Sequence, residues 1–244
     1  MGISDLEQFT QQFKILLDRK PDFSQILQEG RKLLSELVSQ PEWFRSTLSG
    51  LVLDEAFLKS QWQSIDNNDI QLYFSPDKSF SVRAFIWEPG VMYPIHDHGS
   101  WGLVGGLINQ INEKKYVRID DGSDPNYAEL KVIADAVLTP GETTYVLPIN
   151  DGIHKMAALN NQVAVSIHVY GSPVRKGFIN QFDPHTNTAT RVYGPANYKK
   201  ALAIKTLGSI PEAWSEEVLH TAIDSDNNDY IKDECRLSLH KLKG

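Results

Sequence analysis

The most constraining feature of this 244-residue sequence is a series of short segments, rich in β-branched and aromatic residues, that begins near residue 66. Glycine, proline, asparagine and aspartate separate these segments, and no helical period of apolar residues runs between them. The predicted strands cover residues 79–87, 102–108, 115–119, 143–147, 153–159, 163–170 and 188–192. Many short strands at nearly regular intervals are typical of an antiparallel sandwich or barrel. The sequence therefore predicts one β-rich domain over residues 66–195.

Helical segments flank this domain on both sides. Over residues 1–65, apolar side chains such as Phe9, Phe13 and Leu16 recur at helical spacing. Ser4 followed by Glu7 has the pattern of a capping box. The helical pattern returns after the domain, and we assign residues 196–244 to a C-terminal helical extension. We interpret the apolar stripes as core packing and expect residues 1–65 to pack on the barrel.

Composition narrows the class of partner. The chain carries 24 Lys and Arg against 31 Asp and Glu, a net charge of −7, which argues against nucleic acid or an anionic membrane. The single cysteine, Cys235, cannot form an internal disulfide, which fits a reducing compartment. The first residues lack the layout of a signal peptide, and no apolar run is long enough for a membrane span. We therefore expect a cytoplasmic protein whose partner is a small molecule.

Three histidines have the spacing of a metal site. His96 and His98 are separated by one residue, and side chains at i and i+2 of a strand point to the same face. His154 lies far enough along the chain to arrive on a neighbouring strand and complete a facial set of three nitrogens. Neutral imidazole suits Fe(II), Cu, Ni or Zn. A pair of turn or core histidines is the alternative interpretation of a lone His-x-His motif.

A second group of polar residues alternates with apolar ones near the end of the domain. Ser166, His168 and Tyr170 share one face of a predicted strand whose other face is apolar. Polar side chains on an inward face are costly to bury unless they bond to one another or to a ligand. A hydrogen-bonded relay from serine through histidine to tyrosine satisfies that requirement. The alternative is that this face is in water.

These motifs together resemble the cysteine dioxygenase-like (thiol dioxygenase) family of the cupin superfamily, over residues 66–195. The resemblance rests on His-Asp-His after the Pro89-Gly90 turn, on the later Gly-x-His, and on Ser-x-His-x-Tyr. It implies a mainly β fold, the cupin double-stranded β-helix barrel. It implies one Fe(II) per chain, held by His96, His98 and His154. It also implies that Ser166, His168 and Tyr170 order the substrate and oxygen.

The activity implied by the resemblance is the addition of both atoms of O2 to the sulfur of a small thiol, giving a sulfinate. Cysteine, 3-mercaptopropionate or a related thiol is the expected substrate. Ordinary cupins place a glutamate three or four residues after the second histidine, where this chain has Trp101 and Gly102, as in the three-histidine thiol dioxygenases. The cysteine that cross-links to the tyrosine in the animal enzymes is replaced by Gly102 or Leu103. We therefore expect no thioether cross-link.

The family's arginine for the substrate carboxylate is missing from its usual place, which corresponds to residues 70–73. Arg175 and Arg83, and also Arg118, are candidates to replace it. A surface arginine is the alternative interpretation of each, and the one that is more common for arginine.

Two further function classes stay open. One is a cupin metalloenzyme of another class, such as a Zn, Ni or Mn isomerase or a dioxygenase of a non-thiol substrate. The other is a non-catalytic cupin that binds a small ligand for sensing. Metal content separates the sensor from the enzymes, and oxygen consumption with thiols separates the two enzyme classes. The sequence does not specify an oligomeric state.

Overall fold

Helices precede and follow the β-rich part of the chain. The computed structural model describes residues 4–61, 66–225 and 227–243, so the predicted boundary at residue 65 lies outside the described residues. The helical elements are α1 (Asp5–Asp18), α2 (Phe23–Gln25), a π-helical turn (Ile26–Gly30), α3 (Arg31–Val38), a 3₁₀ turn (Pro41–Phe44), α4 (Arg45–Leu53), α5 (Glu55–Ser60), α6 (Pro195–Leu207), α7 (Ala213–Asp224) and α8 (Asp229–Lys243). Ser4 caps α1 as predicted, since its hydroxyl accepts a hydrogen bond from the Glu7 amide at 3.3 Å. None of the helices described here is both long and apolar enough to cross a membrane.

Eleven strands lie in the described part of the chain. They are β1 (Asp69–Phe74), β2 (Phe80–Trp87), β3 (Ile95–His98), β4 (Gly102–Ile108), β5 (Ile111–Arg118), β6 (Leu130–Leu138), β7 (Thr143–Val146), β8 (Ile149–Ala158), β9 (Ala164–Gly171), β10 (Phe178–Asp183) and β11 (Thr188–Tyr193). All seven predicted ranges overlap strands, whereas β1, β3, β6 and β10 lie outside them. β1 and β10 contain Asp, Asn and Gln, which have low β-propensity, so their sequences carry a weak strand signal.

The strands form two antiparallel sheets. The first has the order β1-β2-β9-β4-β7, and the second has the order β11-β10-β3-β8-β5-β6. Side chains from both sheets share one apolar cluster between them, made of Phe85, Trp87, Val104 and Ala164 from the first sheet and Ile111, Leu138 and Met156 from the second. The predicted cupin barrel, preceded and followed in the sequence by helical segments, is therefore confirmed.

The N-terminal helices cover the outer face of the first sheet. Phe13 and Leu34 from the helices are fully buried with Val82 and Ile167 from the strands. A Cβ at Gly105 of β4 would lie 2.9 Å from a methyl group of Val38, so glycine allows α3 to lie close against the sheet. This packing leaves the inner face of the same sheet free to build a site.

The chain divides into two compact units. One contains the N-terminal helices and most of the barrel, through Arg175, together with Asn180–Thr190. The other contains Lys176–Ile179 and the chain from Arg191 onward. The core of this second unit includes Leu219, Ile231 and the lone cysteine, Cys235, which is fully buried.

Candidate metal centre

Strands β3 and β8 bring the three predicted histidines together. His96 pairs directly across the two strands with His154, and His98 follows two residues later on the same face of β3. The ring centroids are 4.8 Å apart for His96 and His98, 5.0 Å for His96 and His154, and 4.7 Å for His98 and His154. Each ring offers one nitrogen, and these nitrogens lie within 4.8 Å of one another. The arrangement is compatible with a three-histidine metal site.

The three rings share one hydrogen-bond arrangement, in which each Nδ1 contacts an oxygen that accepts. These contacts are His96 to the Pro94 carbonyl at 3.1 Å, His98 to the Gly152 carbonyl at 3.1 Å, and His154 to the Glu113 carboxylate at 2.8 Å. A neutral imidazole that donates from Nδ1 keeps its lone pair on Nε2. All three rings therefore present the same type of donor atom.

His98 provides the test of whether a metal fits. Its Nε2 is buried and has no hydrogen-bond partner among the described residues. A buried polar atom without a partner costs free energy, and a metal ion would remove that cost. Burial also lowers the pKa of His98 and of His154 well below the usual range, so both rings are neutral, as ligation requires. The donor set suits a first-row transition metal.

The Glu113 carboxylate accepts the hydrogen bond from His154 Nδ1. This carboxylate lies on β5 and is buried, and Lys115 Nζ lies 3.7 Å from its second oxygen. Burial raises the pKa of the Glu113 carboxyl, and the charge of Lys115 opposes that effect. The Lys115 ammonium is held in turn by the Thr144 hydroxyl at 2.9 Å and by the Tyr145 carbonyl at 2.7 Å. A carboxylate that accepts from a ligand imidazole fixes the ring's tautomer and raises its basicity.

We expect Glu113→Gln to lower metal affinity by about 10-fold, the lower end of the range for loss of an outer partner, because the amide still accepts from His154 but carries no charge. Competition with a chelator, using Co(II) or Fe(II), measures the change. Glu129→Gln is the matched control, since Glu129 is exposed. Equal affinity in wild type and Glu113→Gln would contradict this role.

The predicted row of Ser166, His168 and Tyr170 forms a continuous hydrogen-bonded chain inside the barrel. Ser166 Oγ lies 2.8 Å from His168 Nε2, and His168 Nδ1 lies 2.9 Å from the Tyr170 hydroxyl. Ser166 is 0% and His168 2% exposed, so these two residues do not face water, and Tyr170 is partly buried. The Tyr170 ring stacks on His98 with centroids 5.7 Å apart, which places the end of the chain beside the histidine trio.

Gly102 makes room for the tyrosine. It pairs with Tyr170 across β4 and β9, and a Cβ there would lie 2.8 Å from the Tyr170 ring. Any larger residue would have to displace the ring. The glycine thus serves close packing against the tyrosine ring.

The two named arginines occupy different faces. Arg83 on β2 is directly opposite His168 on β9. It lies two residues before Phe85, whose ring contacts His168, so the side chains of Arg83 and Phe85 share the inner face of the strand. Its guanidinium contacts the buried carboxylate of Asp69. Arg175 instead contacts the carboxylate of Asp97, which lies between the two histidines on β3 and points to the opposite face of that strand. The structure brings Arg83, but not Arg175, to the side of β3 that carries the histidine rings.

Asp97 fastens the histidine-bearing strand to a later segment of the chain. Besides Arg175, it accepts from the Asn180 amide and from the Asn180 side chain, both at 2.8 Å. A Cβ at Gly99 would lie 2.3 Å from the Arg175 carbonyl oxygen, so glycine is required for this close approach. These contacts hold the end of β3 in place.

Sequence reasoning missed two residues of the site. Glu113 shares one face of β5 with Ile111 and Lys115. An acidic residue on the same face as a buried isoleucine was the signal that could have identified Glu113. Trp87, at the end of β2, donates from Nε1 to Ser166 Oγ at 2.8 Å. Nothing in the sequence distinguishes Trp87 from an ordinary core aromatic.

Arg118, the third candidate arginine, forms an ion pair with the carboxylate of Asp120.

No protein-family model matches this sequence. Similar solved structures include the Cupin_2 domain of an XRE family transcriptional regulator from Enterobacter cloacae, with 15% identity over 43% of this chain and 95% of that chain and a TM-score of 0.31. A Cupin 2 conserved barrel domain protein from Salinispora arenicola has 18% identity over 49% of this chain and 84% of that chain, with a TM-score of 0.33. The DMSP lyase DddQ from Ruegeria pomeroyi has 12% identity over 40% of this chain and 41% of that chain, with a TM-score of 0.30. Values this low do not bear on activity, and the cupin architecture rests on the strand order and the shared core.

Proposed function

We propose that this protein is a non-haem Fe(II)-dependent thiol dioxygenase that converts a small thiol to its sulfinate. One observation carries the proposal: a trio of imidazoles lies beside a buried Ser–His–Tyr chain whose tyrosine stacks on a member of the trio. Among the described residues, the metal-binding group contains only His96, His98 and His154 and no carboxylate.

Three neutral ligands favour an anionic substrate. They leave the full charge of a divalent cation uncompensated, so a thiolate neutralises the site better than it would beside a carboxylate ligand. When bound, Fe(II) supplies the redox chemistry by which a thiolate, RS⁻, and O2 combine to give RSO2⁻, with both oxygen atoms transferred to sulfur.

Tyr170 supplies a hydrogen-bond donor beside the trio. Burial raises the pKa of its hydroxyl far above the ordinary value, so the group keeps its proton at neutral pH. His168 contacts that hydroxyl and Ser166 contacts His168, so the donor is held by two buried partners. Its role in the proposed reaction is to orient the substrate or oxygen by hydrogen bonding.

Arg83 is the residue that we assign to a substrate carboxylate. It lies on the inner face beside the relay, and a guanidinium carries five N–H donors that match a carboxylate. Asp69 holds the guanidinium at one nitrogen, Nη1. Arg175 is directed to the other face of β3 by Asp97, so we do not assign it this role in the proposal.

The experiment is oxygen consumption by the full-length, iron-reconstituted protein with cysteine, 3-mercaptopropionate and cysteamine, with sulfinate measured by mass spectrometry. We expect one sulfinate per O2. Arg83→Gln should raise KM about 10-fold for the two thiols that carry a carboxylate, as expected for loss of one charged hydrogen bond, and should leave cysteamine unaffected. Arg236→Gln, at an exposed position, is the control. No thiol-dependent oxygen uptake by fully loaded protein would overturn the proposal and favour another cupin enzyme or a sensor.

Tyr170→Phe should keep its metal but lower kcat by about 10²–10³-fold, the usual cost of removing one preorganised hydrogen-bond donor at a reacting centre. The phenyl ring preserves the stacking on His98, so metal content should match wild type. Tyr198→Phe, half exposed on α6, is the control. A kcat equal to wild type in Tyr170→Phe would show that the hydroxyl takes no part.

A further inference from the structure

We propose that Trp87 is a positioning residue that sets the direction of the hydrogen bonds along the Ser166–His168–Tyr170 chain. The direction of these hydrogen bonds does not depend on the reaction that the protein catalyses. The effect of that direction on catalysis rests on the proposed function. Trp87 is 3% exposed and lies at the far end of the chain from the histidine trio.

The argument starts from the indole N–H, which can only donate. Trp87 Nε1 lies 2.8 Å from Ser166 Oγ, so the serine oxygen accepts this bond. The contact also fixes where the oxygen lies. Without it, the short serine side chain could rotate to another rotamer and leave His168.

The Ser166 hydroxyl proton also needs an acceptor. Among the described residues, the side-chain contacts of Ser166 Oγ are with Trp87 and with His168 Nε2, the latter at 2.8 Å. If His168 also donated, two N–H groups would converge on one oxygen and the buried serine proton would have no acceptor. Accepting from Trp87 also strengthens the bond that the hydroxyl donates. Ser166 therefore donates to His168 Nε2.

The tautomer of His168 follows. Burial keeps this imidazole neutral, so an Nε2 that accepts leaves the proton on Nδ1. Nδ1–H then donates to the Tyr170 hydroxyl oxygen at 2.9 Å. Since the tyrosine oxygen accepts from His168, its own proton remains to be donated to a molecule bound at the trio. Reversal of the chain would turn the tyrosine proton back toward His168.

The direct test is the tautomer of His168 in metal-free, 15N-histidine-labelled protein, read from the 15N shifts of its ring nitrogens. Wild type should show a protonated Nδ1 and an unprotonated Nε2. Trp87→Phe should move both shifts toward the average of mixed tautomers. A proton on Nε2 in wild type, or unchanged shifts in Trp87→Phe, would overturn the proposal.

A second comparison separates direction from packing, because Trp87 also packs against Phe85 and Tyr93. In iron-loaded protein, Trp87→Phe should lower kcat about 10-fold, the lower range for an outer partner, with KM unchanged. Ser166→Ala removes the link without altering the indole. If Trp87 acts through Ser166, the double variant matches Ser166→Ala in both shifts and kcat. Additive losses would show a packing role only and would contradict the proposal.

The two hypotheses fail separately. The tautomer is measured without metal or thiol, so absence of thiol oxidation would remove the proposed function and leave the direction of the chain intact. A wrong tautomer with active enzyme would remove only the role of Trp87.

Discussion

A His154→Ala variant is expected to lose its metal. One of three nitrogen ligands disappears, and the ring cannot be replaced by a neighbour because His154 is buried among the other members of the site. Loss of an outer partner alone costs roughly 10–100-fold in affinity, so loss of a ligand should exceed that range. Activity should fall to background, since His96 and His98 would be left without their third partner.

Metal per chain after dialysis, measured by mass spectrometry for iron and for zinc, tests this expectation. His185→Ala is the control, because His185 is exposed on a turn beside Asp183 and should leave metal content unchanged. Circular dichroism establishes that both variants are folded. Wild-type metal content together with wild-type oxygen uptake in His154→Ala would end the three-histidine account.

An Asp97→Ala variant should be less stable than wild type by about 3–5 kcal/mol, the range for removing one partner of a buried ion pair. Asp97 is fully buried and receives hydrogen bonds from Arg175 and Asn180. Its removal leaves a guanidinium that is 15% exposed without this carboxylate, and leaves the Asn180 groups without their acceptor.

Urea unfolding followed by fluorescence measures the loss. Asp97→Asn keeps the shape of the side chain and one carbonyl oxygen, so its free energy of unfolding should lie between those of Asp97→Ala and wild type. Asp233→Ala removes the partner of Arg236 in an exposed pair and should change stability by no more than about 1 kcal/mol. Equal losses in Asp97→Ala and Asp233→Ala would show that the Asp97 contacts contribute little.

The parts of the site that follow strand parity could be predicted from the sequence. Because alternate residues share a face, His96 and His98 had to point together, as did Ser166, His168 and Tyr170. Parity and turn residues also identified the β-rich domain. These features are local, so they can be read from short stretches of sequence.

The rest depends on contacts between distant positions. Asp97 meets Arg175 and Glu113 meets His154 only because the barrel brings their strands together. Parity alone could not say which arginine would face inward, since that depends on the pairing of β2 with β9 and on the path of the chain after β9. For the same reason, the partner of an inward tryptophan such as Trp87 could not be foreseen.

The clasp at Asp97 also limits when the centre can form during synthesis. His96 and His98 leave the ribosome well before Arg175 and Asn180, which fasten their strand. At about 5–20 residues per second, an interval of roughly 80 residues lasts about 4–16 seconds. An ion captured before His154 is made would meet only two of the three ligands, and until Asn180 is made β3 lacks its full set of contacts. Tight loading therefore belongs to the finished barrel and should be a late event in the life of each molecule.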